Sequence, residues 1–309
     1  MQEAFIKGKV SVLVVTFNRS NMIHDTIESL LNQTHQNIEI LIVDNGSTDD
    51  TAIVLDQYKT AEFEDKIKIY HLAENRRWTG GANFVLSKIS GEWFTVLDDD
   101  DTAHPASFTT MLEVVEQIDP SIDAVTCNVI DSSTGKFAGR GVDKDQYLSF
   151  EHLVRYCSGE FWGITRSSLI KNIRFNESLI GLEDTFWYKI SAKANRYYIH
   201  QGLRVWTTDH GSNMITLQRR KDLTQKAKTY RELASEELYW DSLAKYHPRK
   251  FSSKCIKGLL YSKMTNDSET ATKYLNKLSQ SSSIVSLAGK ASMAMPRSLL
   301  RTLFSLIPL

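Results

Sequence analysis

The 309-residue sequence has few cysteines and no long apolar run. Its three cysteines, Cys127, Cys157 and Cys255, lack a Cys-x-x-Cys spacing, so we predict neither a disulfide framework nor a zinc site. Because no run reaches 18 apolar residues, we expect no membrane-spanning helix. The first nine residues lack the apolar stretch of a secretory signal peptide. Since the cysteines indicate no disulfide framework, a reducing cytoplasm is the expected location.

The chain also has no net charge, but its acidic and basic residues are unevenly distributed along the sequence. The chain has 37 basic and 37 acidic residues. Residues 1–218 carry 20 Lys and Arg against 30 Asp and Glu, whereas residues 219–309 carry 17 against 7. An acidic surface repels phosphate backbones, so we predict no nucleic-acid binding. The two parts of the chain are expected to meet different partners.

Short apolar runs alternate with helical patterns in the first part of the chain. The runs that predict buried strands are residues 10–17, 38–43 and 93–97, and residues 67–72 alternate as a further strand. Later strands are predicted at residues 125–129, 196–200 and 204–208. This alternation predicts an α/β fold with a mostly parallel sheet and helices on both faces. We expect a first domain at residues 1–216 and a basic helical region at residues 217–309.

Four consecutive carboxylates, Asp98 to Asp101, directly follow the predicted strand at residues 93–97. Acid side chains at this density repel one another unless a cation lies among them. In open α/β sheets, ligands bind at the carboxyl ends of strands. The position therefore predicts a divalent-metal site, and the alternative is a solvated acidic loop.

Four motifs in chain order resemble the family 2 glycosyltransferases. They are Thr16-Phe17-Asn18, residues 44–49 (Asp-Asn-Gly-Ser-Thr-Asp), Leu97 with the four aspartates, and Glu183-Asp184. The resemblance covers roughly residues 8–215. It implies a three-layer nucleotide-diphosphosugar transferase sandwich of the GT-A type, with a mostly parallel mixed sheet and a C-terminal helical extension.

The resemblance also implies roles on the donor side. Asp98 and Asp100 match the Asp-x-Asp pair, in which Asp100 binds Mn²⁺ or Mg²⁺ and Asp98 binds the metal or the ribose. Asp44 matches the acid that contacts the uracil ring, and a local Asx turn is the alternative. Thr16 and Asn18 are weaker candidates for contacts with the base and the ribose.

Two further features are predicted near the phosphates. His210 follows the last predicted strand, where related enzymes often place a histidine near the metal or the diphosphate, and a polar-loop histidine without a role is the alternative. Gly80 and Gly81 would allow the backbone at a helix start to approach a phosphate.

On the acceptor side, Asp184 matches the family's catalytic base, which takes the proton of the acceptor hydroxyl in an inverting transfer. The alternative is an acidic first turn of a helix. Glu183 and Trp187 would shape the acceptor side. Trp162 joins them through a weaker resemblance of residues 139–169 to bacterial enzymes that add a glucose branch to a lipid-linked oligosaccharide.

The implied function is an inverting glycosyltransferase that moves a hexose, with glucose or galactose favoured, from a UDP-sugar to a glycan hydroxyl. The acceptor would be a lipid-linked glycan or a cell-surface polysaccharide. An inactive sugar-nucleotide-binding module and a transferase using dTDP-rhamnose stay open as alternatives. A receiver-type signalling domain would need only about half of this length.

Apolar residues cluster at helical spacing in residues 296–309, with Arg297 and Arg301 beside them. This segment is long enough to lie in a membrane interface and too short to span it. We expect either a peripheral position on the inner face of the membrane or packing of this helix on the protein itself.

Overall fold

The computed structural model describes residues 4–208 and 223–279. The chain divides into two compact units. The first unit comprises Met1–Glu177 and Lys189–His210, and the second comprises Ser178–Tyr188 and Gly211–Leu309. The predicted domain boundary at residue 216 lies outside the described residues, so that division stays a prediction.

One mixed sheet forms the framework of the first unit. Its strands within the described residues are β1 (Ile6–Thr16), β2 (Ile38–Asp44), β3 (Ile67–His71), β4 (Gly91–Val96), β5 (Thr102–Ala103), β6 (Ala124–Asp131), β7 (Gln146–Tyr147), β8 (Phe161–Arg166) and β9 (Arg196–Trp206). Their order is β3-β2-β1-β4-β8-β6-β9-β5, with β7 beside β9. The first four strands run parallel, and antiparallel pairs enter with β8, β7 and β5.

Helices cover this sheet and bury their apolar faces on it. They are α1 (Ile23–Leu31), α2 (Thr51–Asp56), α3 (Arg77–Leu86), α4 (Ser107–Gln117) and α5 (Phe150–Tyr156), while α6 (Asp184–Ser191) spans both units. Ile27 of α1 and Met111 of α4 share one buried cluster with alternate residues of β1 and β2. The residues between them, from Val10 to Thr16 of β1 and throughout β2, are buried as well, which accounts for the continuous apolar sequence there.

Two sequence predictions about local structure are wrong. Gly80 and Gly81 lie inside α3 and are buried. A Cβ at Gly81 would lie 2.8 Å from Cγ1 of Val15, so this glycine allows close packing of α3 on β1. The two strands predicted at residues 196–208 are one strand, β9, because its parallel pairing with β6 continues through a register shift near Asn128.

The second unit is helical, as predicted for the basic region. Within its described residues lie α7 (Leu223–Leu233), α8 (Glu237–Tyr246), α9 (Pro248–Met264) and α10 (Ser268–Ser279). They enclose an apolar core around Trp240 and Tyr274. None of the described helices has the length and apolarity that a membrane span requires. The predicted amphipathic segment at residues 296–309 lies outside the described residues.

Glu39 of β2 is a buried carboxylate whose hydrogen-bond donors come from the protein itself. Ser11 Oγ and the N–H of Ser90 donate hydrogen bonds to its Oε1, and Lys9 Nζ lies 3.8 Å from its Oε2. Burial raises the pKa of Glu39, but the hydrogen bonds from Ser11 and Ser90 and the charge of Lys9 outweigh burial and hold the pKa below its ordinary value of 4.5. A carboxyl whose folded pKa is lowered stabilises the fold above its unfolded pKa, and this contribution is lost as pH falls through the folded pKa.

We predict that Glu39→Gln lowers the free energy of unfolding by about 1–3 kcal/mol at neutral pH, because it removes charge-assisted hydrogen bonds from a buried position. The difference from the parent should shrink as the pH falls below 4.5, where the parent carboxyl becomes protonated. Urea unfolding at neutral and acidic pH measures both effects. Glu62→Gln, at an exposed position, is the control. Equal stability of Glu39→Gln and the parent at neutral pH would refute this account of Glu39.

Candidate functional site

The carboxyl ends of the four parallel strands meet at one edge of the sheet. Thr16 at the end of β1 pairs with Asp44 at the end of β2, and Asp44 pairs with His71 at the end of β3. Val96, the last residue of β4, lies opposite Leu13 of β1. The parallel register therefore brings the predicted base-binding residues and the acidic quartet to the same edge, where ligands bind in this class of sheet.

Asp44 is buried, and both of its carboxylate oxygens have partners. Oδ1 accepts the N–H of Ser47 at 2.9 Å, and Oδ2 lies 3.0 Å from Nδ1 of His71. A local turn is therefore present, but its bond reaches the N–H three residues on, whereas the Asx turn considered as an alternative bonds the N–H two residues on. Each carboxylate oxygen accepts more than one hydrogen bond, so the turn leaves acceptor capacity for a ligand. No role was predicted for His71, whose Nε2 also lies 3.0 Å from Oδ1 of Asp56.

Asn18 connects the end of β1 to the turn that follows β2. Its φ of 54° lies in the left-handed region, which asparagine tolerates. Its N–H donates to Ser47 Oγ at 2.9 Å, and its Oδ1 accepts the N–H of Thr48 at 2.8 Å. In the same turn Gly46 has a φ of 77°, and a Cβ there would lie 2.6 Å from the carbonyl carbon of Glu74. Glycine at this position is thus required both by conformation and by space.

Arg204 of β9 holds two of the four carboxylates that follow β4. Its Nε donates to Oδ2 of Asp101 at 2.6 Å, and its Nη2 contacts Oδ2 of both Asp98 and Asp101. The N–H of Thr207 donates to Oδ1 of Asp101 at 2.8 Å. Asp101 is fully buried with both oxygens engaged, so it supports the loop. Arg204 was not predicted as a site residue; the only sequence feature that marks it is a single charge between the apolar residues Leu203 and Val205.

Asp99 shows that the negative charges of the loop after β4 are only partly compensated. Burial raises the pKa of Asp99 to about 7; Asp100 and Asp98 add to this shift, while Thr16 and Arg19 oppose it. Arg19 Nε lies 3.8 Å from Oδ1 of Asp99. Thr16 Oγ1 is buried and has no well-formed hydrogen bond within residues 4–208 and 223–279. This edge therefore contains excess negative charge.

Asp98 and Asp100 fit a Mg²⁺ or Mn²⁺ ion that shares its ligand shell with substrate phosphates. The Asp98 side chain is 46% exposed, and its Oδ1 has no partner among the described residues. Such ions usually take one or two carboxylates, with phosphates and water completing the shell. In the described part of the chain, no three His, Cys, Asp or Glu side chains are grouped to hold a metal by themselves. The predicted ligand His210 lies outside the described residues.

In the second unit, Asp184 is the exposed first residue of α6, where the sequence places an acid at a helix start. The N–H of Gly181 donates to Oε1 of Glu183 at 3.1 Å, which orders the preceding turn. Burial and the charge of Lys250 lower the pKa of Lys254 to about 8, and the charge of Asp184 opposes this shift. An acidic first turn and a catalytic base are both compatible with this position, so the base role stays a prediction.

The two predicted acceptor tryptophans have different surroundings. Trp162 is 5% exposed, its Nε1 donates to the carbonyl of Val96 at 2.8 Å, and its ring packs against Phe108. These contacts make it part of the core below the end of β4, and we therefore leave it out of the proposed acceptor site. Trp187 is half-buried in α6 and packs edge-on against Phe186.

The fold and the acidic loop define the class of protein. The family model "Glycosyl transferase family 2" matches residues 11–173, which is more than half of the chain. This chain therefore belongs to glycosyl transferase family 2 and is a glycosyltransferase.

Two individual proteins illustrate the similarity within this family. The chain is 33% identical over 233 residues to the GalNAc(5)-diNAcBac-PP-undecaprenol beta-1,3-glucosyltransferase of Campylobacter jejuni, covering 73% of each chain. It is 27% identical over 215 residues to glycosyltransferase GlyG of Streptococcus pneumoniae, covering 65% of this chain and 68% of that protein.

Solved structures support the predicted fold. S. aureus TarS 1–349 in complex with UDP matches with a TM-score of 0.69 and 18% identity, over 95% of this chain and 89% of that one. A longer TarS chain matches with a TM-score of 0.65, and this chain spans 53% of it. The likeness confirms the α/β fold of the GT-A type with C-terminal helices.

Proposed function

We propose that this protein is an inverting, divalent-metal-dependent transferase that moves a hexose from a UDP-sugar to a hydroxyl of a lipid-linked glycan. The observation that carries the proposal is the sheet edge at which Asp44 ends β2 and the acidic quartet follows β4, with β1 between these strands. A nucleoside diphosphate presents a base at one end and phosphates at the other. The edge offers polar groups for the base and carboxylates that hold a cation for the phosphates.

The Campylobacter relative supports the choice of donor sugar and acceptor. Its name describes β-1,3-glucosyl transfer to a glycan carried by undecaprenol diphosphate. We therefore place UDP-glucose first among donors and a lipid-linked glycan first among acceptors. UDP-galactose is the second donor candidate, because small differences in a pocket decide between hexoses and fold similarity does not specify them.

The reaction is a displacement at the anomeric carbon. The acceptor oxygen forms a bond to C1 as the bond from C1 to the diphosphate oxygen breaks, and the electron pair remains on the diphosphate. Asp184 takes the hydroxyl proton as general base. A divalent ion held by Asp98 and Asp100 would neutralise the charge that grows on the leaving diphosphate. Asp44 and Thr16 hold the base, and Asn18 keeps the loops beside it in place.

A lipid-linked acceptor requires the enzyme to work at a membrane surface. Residues 219–309 carry 17 basic and 7 acidic residues, a balance that suits an anionic leaflet. A peripheral position on the inner face of the membrane is therefore part of this proposal.

We predict that the purified protein releases UDP from UDP-glucose only when Mn²⁺ or Mg²⁺ is present. Nucleotide release is measured on a panel of UDP-glucose, UDP-galactose, UDP-GlcNAc and dTDP-rhamnose, with and without EDTA. Asp100→Asn should lower the rate by roughly 10–100-fold or more, since a weakened metal site loses at least this much. Asp143→Asn, an exposed carboxylate of the same unit, is the matched control.

Activity that survives both EDTA and Asp100→Asn would rule out the metal role. Nucleotide binding without turnover of any donor would instead identify an inactive binding module. Turnover of dTDP-rhamnose, with no turnover of any UDP-sugar, would show that the donor is dTDP-rhamnose.

We also predict that Asp184→Asn lowers the transfer rate by about 10²–10⁴-fold, because the amide keeps the size of the side chain but accepts no proton. Binding of UDP should stay within about twofold of the parent, a split that loss of the fold would not produce. Asp241→Asn, an exposed carboxylate of α8, controls for the loss of one charge in the second unit. A parental transfer rate in Asp184→Asn would show that another group is the base.

A further inference from the structure

Asp101 is the fixed point of the acidic loop. Its side chain is fully buried and receives hydrogen bonds from Arg204 and from the N–H of Thr207. Its carbonyl oxygen accepts a hydrogen bond from Thr26 Oγ1 of α1 at 2.8 Å, and its N–H donates to the carbonyl of Asp98 at 3.2 Å. A residue held by α1, by β9 and by its own turn has little freedom to move.

Arg204 connects the fixed side chain of Asp101 to the side chain of Asp98. Its side chain is 7% exposed, its Nε donates to Asp101, and its Nη2 contacts both Asp101 and Asp98. Because the guanidinium is planar and its donors have a fixed geometry, anchoring one edge on Asp101 also sets where the other donor lies. Asp98 is bound through Oδ2 alone among the described residues, and its side chain is otherwise 46% exposed.

We propose that Arg204 is a positioning residue of the metal site: anchored on Asp101, it holds Asp98 by Oδ2 and thereby presents Oδ1 to the divalent cation of a metal–nucleoside diphosphate complex. This inference rests on the proposed function, since it requires that a cation binds at the acidic loop. It adds a residue of β9, about a hundred positions along the chain from the carboxylate that it orients. Partners of this kind fix the orientation of metal ligands, and their loss typically weakens metal binding by about 10–100-fold.

A purely charge-balancing role makes a different prediction. If Arg204 only offset the repulsion among carboxylates, a lysine at position 204 would serve nearly as well, because it keeps the charge. The ammonium of lysine is a single point donor on a flexible stem and does not reproduce the planar contacts to two carboxylates. Arg204→Lys therefore separates orientation from charge.

The test compares the parent, Arg204→Lys and the matched control Arg166→Lys. Arg166 lies at the other end of the same sheet, where it contacts Glu92 at the start of β4 and donates to the carbonyls of Ile122 and Pro120 at 2.9 Å. Mn²⁺ binding is measured by electron paramagnetic resonance with saturating UDP, and thermal unfolding is measured on the same samples. We expect Arg204→Lys to weaken Mn²⁺ binding by about 10–100-fold. Arg166→Lys should bind Mn²⁺ like the parent, even if its unfolding temperature falls as much.

A second variant keeps the test decisive if Arg204→Lys does not fold. Asp101→Asn combined with Arg204→Met removes both buried charges together, which avoids leaving one of them unpaired. This double variant should also bind Mn²⁺ about 10–100-fold more weakly than the parent, because Asp98 loses its anchor.

The outcomes separate this inference from the function on which it rests. Parental Mn²⁺ affinity in a folded Arg204→Lys or double variant would overturn the positioning role and leave the proposed function intact. A parent protein that binds UDP but no Mn²⁺ would overturn the metal site itself, and the inference with it. Equal weakening of Mn²⁺ binding in Arg204→Lys and Arg166→Lys would show that Arg204 has only a general structural role.

Discussion

Carboxylates grouped at the end of a buried strand must be compensated, and the sheet edge is organised by this constraint. Arg204 compensates Asp98 and Asp101. Asp99 remains crowded, and burial together with its neighbours raises its pKa to about 7. Glu39 in β2 provides the contrast: its side chain is fully buried, but the hydrogen bonds from Ser11 and Ser90 and the charge of Lys9 outweigh burial and lower its pKa. Donors supplied by the protein thus lower the pKa of Glu39, whereas burial and crowding among carboxylates raise the pKa of Asp99.

The parallel register of β3, β2, β1 and β4 brings motifs that are distant in the sequence to one edge of the sheet. Successive strand ends place His71, Asp44 and Thr16 in a row beside the acidic loop. The turns between them are fixed by local conformation, as Asn18 and Gly46 illustrate with positive φ values. Because the polar groups of these turns are largely paired with each other, a nucleotide would bind to a preformed edge.

Much of this arrangement was predictable because its causes are local. Apolar runs predict the strands, and the place of Asp98 to Asp101 after one of them predicts a cation site. Arg204 and His71 were not predictable, because their contacts depend on pairing that the sequence does not display, such as Ala103 of β5 with Arg204 of β9. The burial of Trp162 likewise follows from tertiary packing, and the predicted role of His210 lies outside the described residues.

The central claim is that the loop after β4 binds a divalent cation together with a nucleoside diphosphate. A crystal structure of the protein grown with UDP and Mn²⁺, with anomalous data at the manganese edge, tests it most directly. The account predicts a manganese peak about 2–2.5 Å from carboxylate oxygens of Asp98 or Asp100 and from diphosphate oxygens of UDP. Bound UDP with no manganese at these carboxylates, or with manganese held by other residues, would contradict it.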